Sequence, residues 1–176
     1  MELKVGDVIG VRGAGFFAFL VSIGEFFAKP EYEAEYKFSH VGIIYFDGPG
    51  AYVLEALSEG VKSKPLYKYK GKYVIKRHKN IDADNIAELK MTIDLYKGKK
   101  ISYNWLQLIW LGVTKIARLE FLSNPFRSKK SMICSELVAR IYKEAIGFSF
   151  KPFEIGNIDP KDIMLCSHFE KILEVN

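Results

Sequence analysis

Apolar and polar positions divide the chain into short runs with two different periods. "FSHVGIIYF" and "AYVLEAL" are rich in β-branched and aromatic residues and flank "DGPG", a strong turn signal, which predicts a β-hairpin. "LKVGDVIGVRG" predicts a short strand around Gly6 and Asp7, ended by Gly13 and Gly15, and "YVIKRH" predicts a further strand. A helical period takes over in "DADNIAELKMTIDLYKG", where Ile86, Leu89, Ile93 and Tyr96 share a face, an Asp or Asn caps the start and Gly98 stops it. "CSELVARIYKEAIG" repeats the pattern, with Leu137, Val138, Ile141, Tyr142 and Ala145 along one side and Gly147 at the end. Two stretches are apolar nearly all round: Phe16 to Ala28, read as a buried helix stopped by Pro30, and Tyr103 to Leu122, read as a helical region ended near Pro125. "DPKDIML" and "FEKILEV" read as a closing strand pair or strand extension. A helix, several strands, helices and a strand-rich end make an α+β fold with an antiparallel sheet packed against helices.

Composition narrows the class without naming a function. The 176 residues are 49% hydrophobic, 27% charged and 14% aromatic, which suits one folded domain over residues 1–176 with a ring-rich core. The continuous apolar runs, Ala14 to Ala28 and "WLQLIWLGV", fall short of the roughly 20 residues of a spanning helix, and the N-terminus lacks a signal-peptide layout, which tilts the compartment toward the cytoplasm. The net charge of +5 points to anionic partners, and much of it lies in "KSKPLYKYKGKYVIKRHK", Lys62 to Lys79, a run without an acid. Lysines interleaved with Tyr67, Tyr69 and Tyr73 can bind single-stranded nucleic acid, but no nucleic-acid module accompanies them, so a solvated face is the better reading. Two cysteines, Cys134 and Cys166, make neither a disulfide framework nor a zinc pattern.

The candidate chemistry starts at Cys134. It opens a helix, where partial positive charge and unbonded N–H groups favour a thiolate and can hold an oxyanion. Taken alone, a cysteine is more often a small buried packing residue. A nucleophile also needs a base and an orienter. His40 opens a strand where an apolar residue is expected, although a lone sheet histidine is more often structural. The hairpin joins it to a carboxylate. If the four-residue loop pairs Phe46 with Ala51, His40 lies opposite Leu57, and Glu55 shares its face and sits diagonally across from it. A shift of one residue would turn Glu55 to the other face. The alternative for Glu55 is a salt bridge to a lysine such as Lys62.

"GDVIGVRG", "FSHVGIIY", "YVLEALSEGV", "MICSELVARIYKEAIG" and "IDPKDIM" together resemble the circularly permuted papain-like amidases, the YiiX/YaeF group of the NlpC-type superfamily. The resemblance runs roughly from Leu3 to Met164, and the cysteine follows the histidine, as in that permuted group. It implies a papain-like fold, with Cys134 as nucleophile, His40 as base and Glu55 as orienter. Tyr103, in "GKKISYNW", resembles a family element before a helix and is a candidate site-lining residue. Ser39 and Ser135, beside His40 and Cys134, are candidate substrate contacts. The apolar region from Trp105 to Leu122 departs from the amidase pattern and would also suit a lipid-facing surface.

Other residues read as structural: Cys166 as packing near a strand end, His168 as a surface or interface residue, His78 as solvated at a strand end. A second Cys–His site at Cys166 and His168 is disfavoured by their closeness in one strand. The expectation is a cysteine amidase, peptidase or acyl transferase acting through Cys134, His40 and Glu55 on a peptide, amide or lipid-linked acyl substrate. The chemistry requires no metal or organic cofactor. The competing class is an idle module of the same fold that binds lipid or an anionic polymer. An anionic membrane surface is a further candidate partner, and "RSKK" before Cys134 would add positive potential near the thiol.

Overall fold

The computed structural model describes residues 2–12, 38–116, 130–150 and 157–175, with 122, 124–126 and 128. The helix expected from Phe16 to Ala28 lies outside these residues, as do 117–121 of the second apolar region and parts of "RSKK".

A six-stranded antiparallel sheet organises the chain in the order β4-β3-β2-β1-β5-β8. Its strands are β1 (Val8–Arg12), β2 (His40–Asp47), β3 (Gly50–Leu57), β4 (Gly60–Pro65), β5 (Lys72–His78) and β8 (Phe169–Val175). Two short strands, β6 (Ser102–Tyr103) and β7 (Ser131–Met132), pair in parallel beside it. The helices among the described residues are α1 (Ala83–Gly98), α2 (Trp105–Ile116), α3 (Cys134–Ile146) and α4 (Pro160–Met164).

Both sheet faces are dry. Val8, Ile43, Leu54 and Val74 join α1 and α3 in one apolar cluster, while their neighbours Ile9, Ile44, Val53 and Ile75 form a second. Adjacent residues of one strand split between the clusters because strand side chains alternate faces. This double burial explains why the central strands read as apolar runs.

Helix α1 begins at a capping box in which Asp82 accepts from the Asn85 N–H at 2.8 Å, as the Asp-rich start predicted. Leu89, Ile93 and Tyr96 are buried as expected, with Thr92. Helix α3 buries Leu137, Val138, Ile141 and Tyr142 and ends at Gly147, whose φ of 70° places it in the left-handed region. The Tyr142 hydroxyl donates to the Gly6 carbonyl at 2.6 Å, tying α3 to the turn before β1.

Several expectations are corrected. "DPKDIML" is not a strand: Pro160 starts α4, Asp159 accepts from the Asp162 N–H at 2.7 Å, and Asp162 accepts from the Asp159 N–H at 3.0 Å. The short apolar tail concealed a helix start written in "DPKD". Cys166 therefore sits in the turn before β8 rather than in a strand, and the turn brings its Sγ to 3.8 Å from His168 Nδ1. His78 is buried, not solvated; its ring meets Phe148 at 4.6 Å and Phe169 at 5.2 Å. Burial, with the neighbouring His168, holds its pKa below the ordinary range. Nor is the whole basic stretch a solvated face. Arg77 donates Nε and Nη2 to the two oxygens of buried Asp7, at 2.7 and 2.8 Å, across the β1–β5 pair.

Candidate active site

The hairpin has the register that its turn predicts. Phe46 faces Ala51, Asp47 faces Gly50, and the pairing continues to Ile43 and Leu54. Gly42 lets the two strands close. A Cβ there would lie 2.4 Å from Val53 Cγ1, closer than a side chain can sit, and a tight 3.1 Å from the Leu54 carbonyl oxygen. The result is a contact between the residues on either side of this approach: His40 Nε2 lies 2.6 Å from Glu55 Oε2. Glu55 is 2% exposed and pairs with His40, while Lys62, which faces it across β3 and β4, is exposed. Ser39 anchors the entry to β2, its N–H and hydroxyl both donating to the Val11 carbonyl, at 3.0 and 3.3 Å. That is a structural role for Ser39.

Cys134 reaches the same ring from α3. The parallel pair of Tyr103 with Met132 sets the chain immediately before the helix. Ile133, in extended conformation, occupies the N-cap without a side-chain cap. First-turn N–H groups are thereby left without a capping oxygen. His40 and the backbone N–H groups of Val41 and Ser135 lie near enough to the Cys134 sulfur to draw its pKa down. With Nε2 given to Glu55, Nδ1 is the ring atom left for the thiol. Cys134 is 6% exposed.

The electrostatics follow from this triple contact. Burial pushes the Cys134 thiol up, but the charge and hydrogen bond of His40 and the two backbone donors outweigh it, and the pKa falls below the ordinary thiol value. Burial likewise opposes charge on His40. The Cys134 thiolate and then the Glu55 carboxylate overcome it and raise the imidazole to about 10. Glu55 is pushed up by burial and held down, on balance, by His40, Tyr69 and Lys64. The arrangement favours a thiolate–imidazolium pair backed by a carboxylate.

Tyr103 is 7% exposed and packs edge-on against Trp105 with ring centroids 5.1 Å apart. Burial, and after it the charge of Cys134, raises its hydroxyl pKa. Ser135 is different: its hydroxyl is fully buried and donates to the Ile158 carbonyl at 2.6 Å, so only its backbone N–H faces the site. Tyr69 is the residue that the sequence reading missed. Pro65 leads into a single 3-10 turn, and the Tyr69 N–H bonds the Leu66 carbonyl at 2.9 Å, carrying the tyrosine back toward Glu55. Its buried hydroxyl meets no partner at full hydrogen-bond geometry, yet lies near enough to lower the Glu55 pKa, a loose contact rather than a strong bond. Lys64 Nζ sits 4.4 Å from the centroid of the same ring. The only signal in the sequence was a tyrosine two residues after a Pro-Leu-Tyr break.

Among solved structures, this chain is similar to the metalloprotein YiiX of Escherichia coli O157:H7, DUF1105, with a TM-score of 0.69 over 99% of both chains and 18% sequence identity. The fold is YiiX-like. At that identity the likeness speaks for architecture alone. No protein-family model matches the chain, and no curated protein matches it in sequence. YiiX is described as a metalloprotein, which raises the question of a metal here. Among the described residues no group of three His, Cys, Asp or Glu side chains is disposed to hold an ion. In the Cys134–His40–Glu55 group, His40 Nε2 is already engaged by Glu55. Among the described residues, then, no side-chain group fits a metal centre.

Proposed function

We infer that the chain is a cysteine hydrolase or acyl transferase of the papain-like, circularly permuted NlpC type, acting on an amide or ester. The observation that carries this reading is the pairing of His40 Nε2 with the buried Glu55 Oε2 at 2.6 Å, on a ring whose charge draws down the thiol pKa of Cys134, the residue that opens α3. A structural cysteine has no use for that combination.

The chemistry follows from the contacts. His40 holds the proton of Cys134, and Glu55 fixes the ring and stabilises its positive charge. The Cys134 sulfur attacks the carbonyl carbon and forms a C–S bond, while the oxygen takes up negative charge beside the uncapped N–H groups at the start of α3. Collapse breaks the C–N or C–O bond, and the leaving group takes the proton from His40. Water or another acceptor then attacks the thioester, gives a proton to His40 and releases Cys134.

The test is to trap the acyl-enzyme. After incubation with an activated ester such as p-nitrophenyl acetate, mass spectrometry should find one acetyl group on Cys134. Cys134→Ala should carry none, and His40→Ala should acylate far more slowly. Acylation that is equally fast in His40→Ala, or that falls only on Cys166, would overturn the reading. An idle binding module of the same fold is the second reading, favoured by the apolar surface of α2, where Leu106 and Ile109 are 57% and 58% exposed. It predicts no acyl adduct.

A further inference from the structure

The buried side of helix α2 is mixed: Leu111 joins the core, flanked by Gln107, fully enclosed, and Thr114, whose hydroxyl donates to the Trp110 carbonyl at 2.9 Å. The Asn104 side chain accepts from the Gln107 N–H at 3.0 Å and caps the start. Trp105, Leu106, Ile109 and Val113 are instead 39%, 57%, 58% and 53% exposed. At 100° per residue these four fall within an arc of roughly 100°. Phe126, 41% exposed, lies by this helix: its carbonyl accepts from Asn104 at 2.7 Å and its ring meets Trp110 at 6.0 Å. A soluble helix puts such a face inward, so the outward stripe needs an occupant.

Charge identifies the occupant. Exposed Lys99 and Lys100 lie just before β6, and the carbonyl of exposed Lys130 accepts from the Ser102 N–H at 3.0 Å, so all three gather at the N-terminal end of α2. Lys115 and Arg118 follow the stripe in sequence, and Glu120 is the one acid between Lys99 and Lys130. Two copies meeting through this face would set like charges against each other. An anionic lipid surface accepts the apolar residues between its headgroups and attracts the cations around them, with tryptophan suited to that depth. We propose that the α2 face, with its lysine rim, docks the protein onto an anionic membrane surface. Trp105 packs on Tyr103, and Tyr103 pairs with Met132, two residues before Cys134, so docking brings the start of α3 toward the lipid plane. The docking stands on α2 itself and does not depend on the chemistry of Cys134.

The experiment is flotation of the full chain with vesicles of phosphatidylcholine alone or with added phosphatidylglycerol, alongside tryptophan fluorescence. The wild-type chain should float with the anionic vesicles, shift its emission to the blue, and lose binding as salt rises. Leu106→Asp with Ile109→Asp should lower partitioning at least about tenfold. Lys99→Glu with Lys100→Glu should remove the preference for anionic lipid. Far-UV circular dichroism verifies that the variants fold. Failure of the wild type to float, or equal flotation of the aspartate variant, overturns the proposal. So does a wild-type dimer that the aspartates split without any vesicle binding, which would assign the face to a second copy.

Discussion

Replacing Glu55 with Gln keeps the shape of the buried side chain and removes its charge. Glu55 is 2% exposed and its Oε2 is 2.6 Å from His40 Nε2, so little solvent screens the pair. A hydrogen bond to a charged group is worth about 1.5–3 kcal/mol, and 1.36 kcal/mol corresponds to about one pKa unit. The glutamine amide still accepts from the ring, so the lower half of that range applies, about one to two units. The sign is fixed: the carboxylate favours imidazolium, and its loss must lower the His40 pKa from about 10. A titration followed by NMR at the His40 ring carbon should place its midpoint at roughly 8–9 in Glu55→Gln. His78 and His168 in the same spectrum serve as internal standards. A His40 midpoint unchanged by the substitution would refute the claim that Glu55 supports the charge of the ring.

Gly42→Ala brings a Cβ to 2.4 Å from Val53 Cγ1, and Val53 is fully buried, so urea unfolding should show a loss of about 1–3 kcal/mol with slower alkylation of Cys134. Tyr69→Phe removes a loose support of the Glu55 carboxylate; the Glu55 pKa should rise, and the acid limb of Cys134 alkylation should move up by less than about one unit. Asp7→Ala leaves Arg77 without the two oxygens it donates to, and thermal or urea unfolding should register a loss of about 3–5 kcal/mol.

The candidate site was legible where local rules carry long-range consequences. "DGPG" sets the register of β2 and β3, and alternation then puts His40 and Glu55 on one face without any tertiary information. Cys134 was legible because amphipathic spacing and Gly147 delimit α3. Tyr69 was not, since its approach to Glu55 depends on how a turn after Pro65 folds over the sheet, which no periodicity encodes. β4 was hidden because its outer residues Lys62 and Ser63 are polar and its inner ones few. His78 was misread because strand-end position suggests solvent, while Phe148 and Phe169, distant in sequence, close over it. α4 was misread because an apolar run of a few residues has no distinguishable period, and the signal lay in the Asp-Pro cap instead. The region after Trp105 read as apolar nearly all round, and only the structure divides it into an exposed stripe and a buried side of Gln107, Leu111 and Thr114.

The central claim is that His40 holds Cys134 as a thiolate, and the pH dependence of iodoacetamide alkylation tests it most directly. Cys134→Ala isolates the contribution of Cys166. The account predicts a Cys134 midpoint below the ordinary thiol value of about 8.5, with appreciable reaction at pH values where a free thiol is only a few per cent ionised. In His40→Ala the lowering influence is gone and burial remains, so the midpoint should rise to the ordinary value or above it. A wild-type midpoint at or above the ordinary value, or one that His40→Ala leaves in place, would contradict the account and make Cys134 a packing residue.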